Sequence, residues 1–372
     1  MSLSSGVHPM KWAEVDLGVL RDNAATFKEQ MGEGVQVMAM VKAGAYGHGG
    51  PRAAEALLDG GATWLGVALP GEAVELRQAG IEAPILVVGW SPPDTHRAMV
   101  DAGVDITISD AAGVAAVRAA VREHSMPARV QVKVETGMYR QGVDAASLPD
   151  VLDHIAAEQP LLQLTGVFTH LADADGDDPT HAERQHARFV DAVEMAKDFA
   201  PDALVHAANS AAALRFPDMR HDMVRPGIAL YGYLPANCPP LAVQPALTFQ
   251  AMVTHVHTVP KGESVGYGCT WLAPQDTRVA TIAAGYADGL HRAQSNRGSA
   301  VLHGVRCPIL GRVSMDQATV DITDAPQTAP GDVATLVGAE LPADHVAAVE
   351  DTISYEVLCA ISARVPRRFV AG

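Results

Sequence analysis

Short apolar runs rich in β-branched residues alternate with longer segments of helical periodicity from Lys11 to about Leu241. An apolar run bounded by turn residues is typical of a strand buried on both faces, whereas apolar positions three and four apart are typical of an amphipathic helix. The predicted strands cover residues 35–41, 63–69, 83–89, 104–109, 130–135, 164–170, 203–209 and 223–232. Helices are predicted between them, including residues 71–80 and 181–200.

This alternation predicts an α/β fold, a (β/α)8 TIM barrel over residues 11–241, because parallel strands need crossovers that are usually helical. A doubly wound open sheet is the alternative architecture. Its dinucleotide-binding form carries GxGxxG after the first strand, and the first turn of this chain lacks that pattern. The barrel is therefore the preferred prediction.

The alternation of predicted strands and helices ends at the proline-rich segment at residues 236–245. Short apolar runs separated by Gly, Pro, Asp and Asn follow, without long helical segments. We predict a separate, mainly antiparallel C-terminal β-domain over residues 242–372, with the proline-rich segment as the boundary. Residues 1–10 are assigned to neither domain; packing against the second domain is one possibility.

Composition restricts the kind of partner that this chain can bind. Its 372 residues carry a formal net charge of −16, so the surface repels nucleic acid and anionic membranes. The four cysteines, at positions 238, 269, 307 and 359, lack the spacing of a metal site, and no apolar run approaches the length of a membrane span. We therefore expect a cytoplasmic protein with reduced thiols, no metal and a small-molecule substrate.

Lys42 is the first candidate for chemistry, because it ends the first predicted strand and a glycine-rich loop follows it. A lysine at the mouth of a buried sheet loses hydration, which favours the neutral, nucleophilic amine and suits Schiff-base formation with a carbonyl cofactor. The structural alternative is a lysine that extends its ammonium group to solvent.

Other candidate residues lie on the later predicted strands or in the segments that follow the strands, because barrel enzymes build their sites at the carboxyl ends of strands. They are Tyr46, Lys133, Arg140, His170, Asn209, Ser210, Arg225, Gly227 and Ile228. Each has an ordinary structural alternative, such as an ion pair or, for Ser210, the N-cap of the next helix. The loops after strands seven and eight commonly hold a phosphate in barrels. A phosphate there, with a buried lysine and a nearby arginine, matches a site for pyridoxal phosphate.

The chain resembles the alanine racemases. The stretches that carry the resemblance include VKAGAYGHG at residues 41–49, VRPGIALYG at 224–232 and VGYGCTW at 265–271, and they run through the chain in the order typical of the family. Further matching stretches are residues 13–23, 132–142, 166–175, 206–212, 282–289, 310–317 and 353–367.

The resemblance implies a pyridoxal-phosphate-dependent isomerase that interconverts L-alanine and D-alanine and supplies D-alanine for peptidoglycan. It also implies a homodimer in which the β-domain of one subunit completes the barrel site of the other. By the same resemblance, Lys42 holds the cofactor as a Schiff base, and Tyr267, from the partner, is the second base. Two bases are needed because racemisation removes a proton from one face of a carbon and returns one to the other.

The resemblance assigns further roles around these two bases. The phosphate ligands are Tyr46, Ser210, Gly227, Ile228 and Tyr355, with Asn209 beside them. Arg225 faces the pyridine nitrogen, His170 links Arg225 to Tyr267, and Arg140 binds the phenolic oxygen of the ring. Met315 meets the substrate carboxylate, and Tyr286 narrows the entrance. Lys133 stands where many relatives carry a carbamylated lysine that orients Arg140; a plain lysine in an ion pair is the alternative.

Three positions depart from the commonest family pattern. Gly44 stands where Asn is usual, and Tyr139 and Gln141 flank Arg140 where Gly and Leu are usual. These departures leave a broader amino-acid racemase or a serine racemase open. A barrel-type amino-acid decarboxylase is disfavoured, because those proteins usually place Glu where Arg225 stands. A pyridoxal-phosphate homeostasis protein is also an alternative, but such proteins lack the second domain that carries Tyr267 and Met315. A barrel that binds no cofactor is the remaining alternative.

Overall fold

The computed structural model describes residues 9–122 and 126–371. Two compact units make up the chain. The barrel unit comprises Leu20–Ala45 and Gly49–Val243, and the β unit comprises the chain through Val19, Tyr46–His48 and the chain from Gln244 onward. The predicted packing of residues 1–10 falls mostly on residues 1–8, outside the described residues.

The strands, in chain order, are β1 (Lys11–Asp16), β2 (Gln36–Met40), β3 (Trp64–Val67), β4 (Ile85–Val87), β5 (Asp105–Ile108), β6 (Ala128–Lys133), β7 (Leu162–Phe168), β8 (Leu204–His206), β9 (Met223–Val224), β10 (Leu247–Val259), β11 (Ser264–Val265), β12 (Trp271–Leu272), β13 (Thr277–Ile282), β14 (Ser299–Leu302), β15 (Val305–Leu310), β16 (Ala318–Asp321), β17 (Val333–Val337) and β18 (Arg367–Val370). The helical segments are α1 (Leu17–Met31), α2 (Lys42–Tyr46), α3 (Gly50–Asp59), α4 (Pro70–Gln78), α5 (His96–Asp101), α6 (Ala111–Val121), α7 (Leu148–Ala157), α8 (Thr180–Phe199), α9 (Ser210–Arg215), α10 (Ala343–Glu350) and α11 (Ser354–Cys359). No helix in the described ranges is both long enough and apolar enough to span a bilayer.

In the barrel unit, the described strands form an eight-stranded parallel sheet in the order β8-β7-β6-β5-β4-β3-β2-β9. The two end strands are connected by hydrogen bonds from Asp222 N to Val205 O (3.1 Å) and from Arg225 N to Ala208 O (2.8 Å). The sheet therefore closes on itself, and helices cover its outer face, so that most residues of its strands are buried. The predicted (β/α)8 barrel is confirmed.

The eighth strand is much shorter than the predicted run of residues 223–232. β9 covers only Met223 and Val224, and a 3-10 turn follows at Ile228–Tyr231. Pro226 has no N–H to donate, so a regular ladder cannot continue through it. Single bonds from Arg225 N to Ala208 O and from Met40 N to Pro226 O replace the ladder.

The β unit is built on a mainly antiparallel sheet, as predicted. The described strands have the order β13-β16-β15-β14-β17-β10-β1-β18, with an additional β13–β10 pairing. The long strand β10 pairs with β1 and β17 over its first half and with β13 beyond an irregularity between Val253 and His255. A strand with such an irregularity can bend from one neighbour to another, so the sheet curls around its own core.

The first strand differs from the sequence analysis, which assigns residues 11–16 to the barrel. β1 pairs antiparallel with β10 and parallel with β18, so it belongs to the β unit. Its sequence KWAEVD places Lys11 and Glu14 beside the buried Ala13 and Val15. Charged residues between buried ones are typical of a strand with one solvated face, whereas barrel strands are buried on both faces.

Candidate active site

A left-handed turn follows Lys42 at the carboxyl end of β2. Ala43, Gly44 and Ala45 all have φ between 54° and 59° and ψ between 44° and 55°. This conformation costs roughly 1–2 kcal/mol for each residue that carries a Cβ. Strain of this kind persists where the surroundings hold it, and here the Ala43 N–H donates to Glu72 Oε1 at 2.6 Å. The turn fixes the backbone immediately after the half-buried lysine.

Arg225 follows β9 and is almost fully buried. Its Nη1 donates to His206 Nδ1 (2.9 Å), and its Nη2 lies within hydrogen-bond distance of Thr169 O (2.7 Å), Ala207 O (3.0 Å) and His170 Nδ1 (3.2 Å). Among the described residues, Arg225 forms no ion pair with a carboxylate. Burial lowers the pKa of Arg225 to about 9, so the guanidinium keeps its charge at neutral pH. An uncompensated buried cation results.

His170 follows β7 and accepts from Arg225 through Nδ1. Burial lowers the pKa of His170 well below its ordinary value, and the positive charges of Arg225, Arg140, Lys133 and Lys42 lower it further. A neutral imidazole that accepts at Nδ1 carries its proton on Nε2. The tautomer of His170 is therefore set by the arginine.

Lys133 ends β6 and is buried. Burial lowers the pKa of Lys133 to about 8, and the charges of Arg140, Arg225 and Lys42 contribute in the same direction, against the carboxylate of Glu135. Lys42, Lys133, Arg140 and Arg225 thus form a cationic cluster in the barrel unit of a chain whose net charge is −16. Such a cluster is expected to attract an anion.

The loops after β8 and β9 meet through Ser210. Its Oγ accepts from Gly227 N at 2.9 Å and lies 3.5 Å from Ala229 N. Ser210 is not the N-cap of α9, the structural alternative raised for it, because Asn209 holds that position and its Oδ1 accepts from Ala212 N. The structure therefore brings together Asn209, Ser210, Gly227 and Ile228, and the hydroxyl proton of Ser210 stays available to an acceptor.

In the β unit, Tyr46 and Tyr355 lie together. Their ring centroids are 6.0 Å apart with the planes tilted by 50°. Burial raises the pKa of Tyr46, and the negative charge of Tyr355 or Cys359 would raise it further, so Tyr46 remains a phenol across the neutral range. The structure therefore brings the two predicted tyrosines together as a tilted ring pair.

Three further predicted residues of the β unit are exposed: Tyr267 (72 %), Met315 (53 %) and Tyr286 (43 %). The loops that carry Tyr286 and Met315 are bonded to each other through Tyr286 N to Ser314 O (3.0 Å) and Ala287 N to Met315 O (3.0 Å). These backbone bonds hold the exposed Tyr286 and Met315 next to each other in the β unit.

The sequence analysis missed two buried residues behind Arg225: His206, which bonds the guanidinium, and Gln131, which bonds His206. His206 is fully buried, its ring lies parallel to that of Phe168 at a centroid distance of 4.9 Å, and Gln131 Oε1 bonds its Nε2 at 2.8 Å. The available signal was Gln131 itself, a polar residue between two valines of a predicted buried strand. His206 also lies within one of the stretches that carry the family resemblance.

A parallel barrel with a lysine and a cationic cluster at the carboxyl ends of its strands defines the class: a (β/α)8-barrel enzyme with a site for an anionic ligand. Family models agree and are more specific. The N-terminal domain of alanine racemase matches residues 15–235, and the C-terminal domain of alanine racemase matches residues 246–369. The chain belongs to the alanine racemase family and is therefore an isomerase.

Individual relatives and solved structures support the same assignment. The chain is 39% identical to the alanine racemase of Desulfosudis oleivorans and 40% identical to that of Symbiobacterium thermophilum, and each match covers 97% of both chains. Among solved structures, it is similar to alanine racemase from a D-cycloserine-producing Streptomyces lavendulae (35% identity, TM-score 0.92, 99% and 98% of the two chains). It is equally similar to alanine racemase from Bacillus anthracis with bound L-Ala-P (35% identity, TM-score 0.92, 98% and 96%).

Proposed function

We propose that this protein is a cytoplasmic, pyridoxal-phosphate-dependent alanine racemase that interconverts L-alanine and D-alanine and supplies D-alanine for peptidoglycan. Family membership supports the reaction. The cationic cluster of Lys42, Lys133, Arg140 and Arg225 supports the proposed cofactor and substrate, because the cofactor carries a phosphate and the amino acid carries a carboxylate. The observation that carries the proposal is the placement of this cluster around the half-buried Lys42.

The residues of the barrel unit fit pyridoxal phosphate. Lys42 would hold the aldehyde carbon, and the small residues joined by the Ser210–Gly227 bond would hold the phosphate through backbone N–H groups and the Ser210 hydroxyl. Arg225 would face the ring nitrogen, and Arg140 would bind the phenolic oxygen. When bound, this cofactor acidifies the α-proton of an amino acid by withdrawing electrons.

The protein's own part in racemisation is to hold one proton carrier on each side of the α-carbon. We assign Lys42 Nζ to one side and the partner subunit's Tyr267 Oη to the other. A phenol with an ordinary pKa near 10 is a poor base at neutral pH, so its oxygen needs a stabilising donor. His170 Nε2–H, whose proton is set by Arg225, would be that donor.

Arginine holds its proton too strongly to transfer it to the ring nitrogen of the cofactor. A carboxylic acid at the same place could transfer or share its proton. Arg225 would therefore leave the ring nitrogen of a bound cofactor hydrogen-bonded but not protonated, which would weaken its withdrawal of electrons. This arrangement would favour rapid return of the proton to the substrate and would limit side reactions. This role also distinguishes the chain from barrel-type decarboxylases, which usually place a glutamate at this point.

We propose that the enzyme is a homodimer with shared active sites. Tyr267, Tyr286 and Met315 are large and exposed in one chain, which is the expected state of residues that a partner covers. In the dimer, the partner subunit's Tyr267 would serve as the second base. The partner's Met315 would meet the substrate carboxylate, and the partner's Tyr286 would narrow the entrance.

We also propose that Lys133 reacts with carbon dioxide. Its pKa of about 8 leaves part of the amine neutral near neutral pH, and a neutral amine adds to carbon dioxide with loss of one proton. The resulting carbamate would carry a negative charge toward Arg140. A plain ammonium group at Lys133 would instead repel Arg140.

The assay that tests the function follows L-alanine, L-serine and L-lysine separately in deuterated water. We expect L-alanine to lose optical rotation while deuterium replaces its α-proton, without carbon dioxide or keto acid. Lys42→Ala should abolish both changes. Release of carbon dioxide would indicate a decarboxylase, and faster exchange of serine or lysine would indicate the broader racemase that Gly44, Tyr139 and Gln141 leave open. A colourless protein that binds no pyridoxal phosphate would contradict the proposal.

A further inference from the structure

A buried polar path crosses the interior of the barrel below the cationic cluster. Asp105, Gln131 and His206 have exposed fractions of 1%, 0% and 0%. Barrel interiors are usually filled by branched apolar side chains, and a buried polar group is unfavourable unless its hydrogen bonds are made. Three such residues in contact therefore require an explanation.

The path begins on β5 and β6. Asp105 Oδ1 accepts from Arg129 Nε at 2.7 Å, and Asp105 Oδ2 accepts from Gln131 Nε2 at 2.9 Å. Arg129, Gln131 and Lys133 alternate along β6, so they lie on one face of the strand. Gln131 therefore lies one step deeper in the barrel than Lys133, a member of the cationic cluster.

The chemistry of the donors sets the direction of the path. A carboxylate only accepts, so the amide nitrogen of Gln131 must face Asp105 and its oxygen must face His206. That oxygen can bond His206 Nε2, at 2.8 Å, only if the nitrogen carries a proton. His206 then presents a lone pair at Nδ1, which accepts from Arg225 Nη1 at 2.9 Å.

Local backbone features fit this arrangement. Gln131 pairs with Gly166, and the register shift beside it leaves Thr165 as an extra residue in β7. The Thr165 hydroxyl donates to Asp105 Oδ2 at 2.6 Å, which helps to hold the carboxylate. A Cβ at position 166 would lie 2.7 Å from Gln131 Oε1, so glycine leaves the space that the amide oxygen occupies.

We propose that Asp105 and Gln131 are positioning residues for Arg225: they hold His206 as the Nε2–H tautomer, so that its Nδ1 accepts from the guanidinium and fixes the orientation of that group. Neither Asp105 nor Gln131 is proposed to contact the substrate. Their effect passes through His206, and the cation stays uncompensated because the only carboxylate of the path is separated from it by an amide and an imidazole. A carboxylate in direct contact with Arg225 would reduce the charge that the guanidinium presents.

The first test reads the tautomer directly, without turnover. Protein labelled with 15N in histidine is examined by NMR, and the His206 signals are identified by their loss in His206→Asn. We expect one protonated nitrogen, assigned to Nε2, with a slowly exchanging proton, and one unprotonated nitrogen at Nδ1. Burial and the charge of Arg225 lower the pKa of His206, so this pattern should persist from pH 8 to about pH 6.

Variants at position 131 separate positioning from packing. Gln131→Met keeps the volume but removes both hydrogen bonds, so the Nε2 proton loses its acceptor and its slow exchange with solvent should be lost. Gln131→Glu should retain it, because two adjacent buried carboxyl groups share a proton and Glu can then donate to Asp105 and accept from His206. Gln163→Met, at an exposed position of β7, is the matched control and should leave the His206 signals unchanged.

The activity readout deepens the proposed function and rests on it. We expect Gln131→Met to lower kcat by about tenfold with KM changed less than about twofold, since the orientation of a group at the reacting centre is lost. Gln131→Glu should recover most of the loss. A wild-type His206 protonated on Nδ1, or a Gln131→Met protein with unchanged His206 signals, would overturn the inference. A failed racemase assay with the expected signals would instead contradict the proposed function.

Discussion

Gly44 is the residue of the turn after Lys42 that adopts positive φ without a steric cost. A Cβ at this position would meet no heavy atom within 4 Å, so a substitution there tests backbone strain alone. We expect Gly44→Ala to reduce the free energy of unfolding by about 1 kcal/mol, because alanine disfavours the left-handed region. Urea unfolding measures the change.

The matched control is Gly71→Ala. Position 71 lies in the first turn of α4, its Cβ would also meet no atom, and its φ lies outside the positive region. Alanine should be neutral or stabilising there, since it restricts the unfolded chain and favours the helix. Equal loss of stability in both variants would mean that the turn at Gly44 is unstrained.

Lys133 provides a pH-dependent test at a single residue. Its pKa of about 8 in the folded protein lies below the ordinary value of 10.5, so between pH 8 and 10.5 the unfolded chain binds more protons. Stability therefore rises with pH through this window, and below it the buried ammonium destabilises the fold. In carbon-dioxide-free buffer at pH 7, we expect Lys133→Met to raise the urea midpoint, with a smaller difference above pH 10.

Bicarbonate should reverse the sign of that difference if Lys133 forms a carbamate. The carbamate would replace a repulsive charge by one that attracts Arg140, so the wild-type protein should gain stability and Lys133→Met should not. A wild-type midpoint that does not respond to bicarbonate would identify Lys133 as a plain lysine.

The positions of predicted strand ends locate some residues of the candidate site but not others. Lys42 follows a predicted strand, and His170 and Arg225 lie within predicted strands that end earlier in the structure; the carboxyl ends of parallel strands meet at one edge. Gln131 and His206 are different, because their partners come from neighbouring strands far apart in sequence. A one-dimensional pattern shows that a polar residue is buried but does not show which atom satisfies it.

At the scale of elements, periodicity locates strands and helices but does not assign a strand to a sheet. Residues 11–16 form a strand whose partners, β10 and β18, lie at the other end of the chain. The strand at 223–232 was predicted too long, because its composition is β-rich while Pro226 interrupts the ladder. The cap of α6 shows a local signal that can be read directly, since Asp110 precedes an alanine-rich helix.

The Asp110 cap is a testable contribution of an element. Its side chain accepts from Gly113 N at 2.7 Å and satisfies one of the unpaired N–H groups of the first turn of α6. We expect Asp110→Ala to reduce the free energy of unfolding by about 1 kcal/mol. Ser147→Ala, at the N-cap of α7, is the control, because the Ser147 side chain makes no capping bond and its removal should cost much less.

At the scale of the whole molecule, the proposed chemistry requires two polypeptides. The barrel unit carries Lys42, and the β unit carries the exposed Tyr267. If the two bases come from different subunits, Lys42→Ala and Tyr267→Phe will each inactivate both sites of a homodimer. A mixed dimer will contain one site with both substitutions and one site with neither.

Co-expression of the two variants, each with a different affinity tag, tests this arrangement. Equal mixing gives half mixed dimers with one intact site each, so the unfractionated sample should recover about a quarter of wild-type activity. Dimers that retain both tags should recover about half. The control mixes Lys42→Ala with Lys42→Ala, which should stay inactive. If both bases belonged to the same subunit, every site in the mixture would lack one of them, and doubly tagged dimers would show no racemisation.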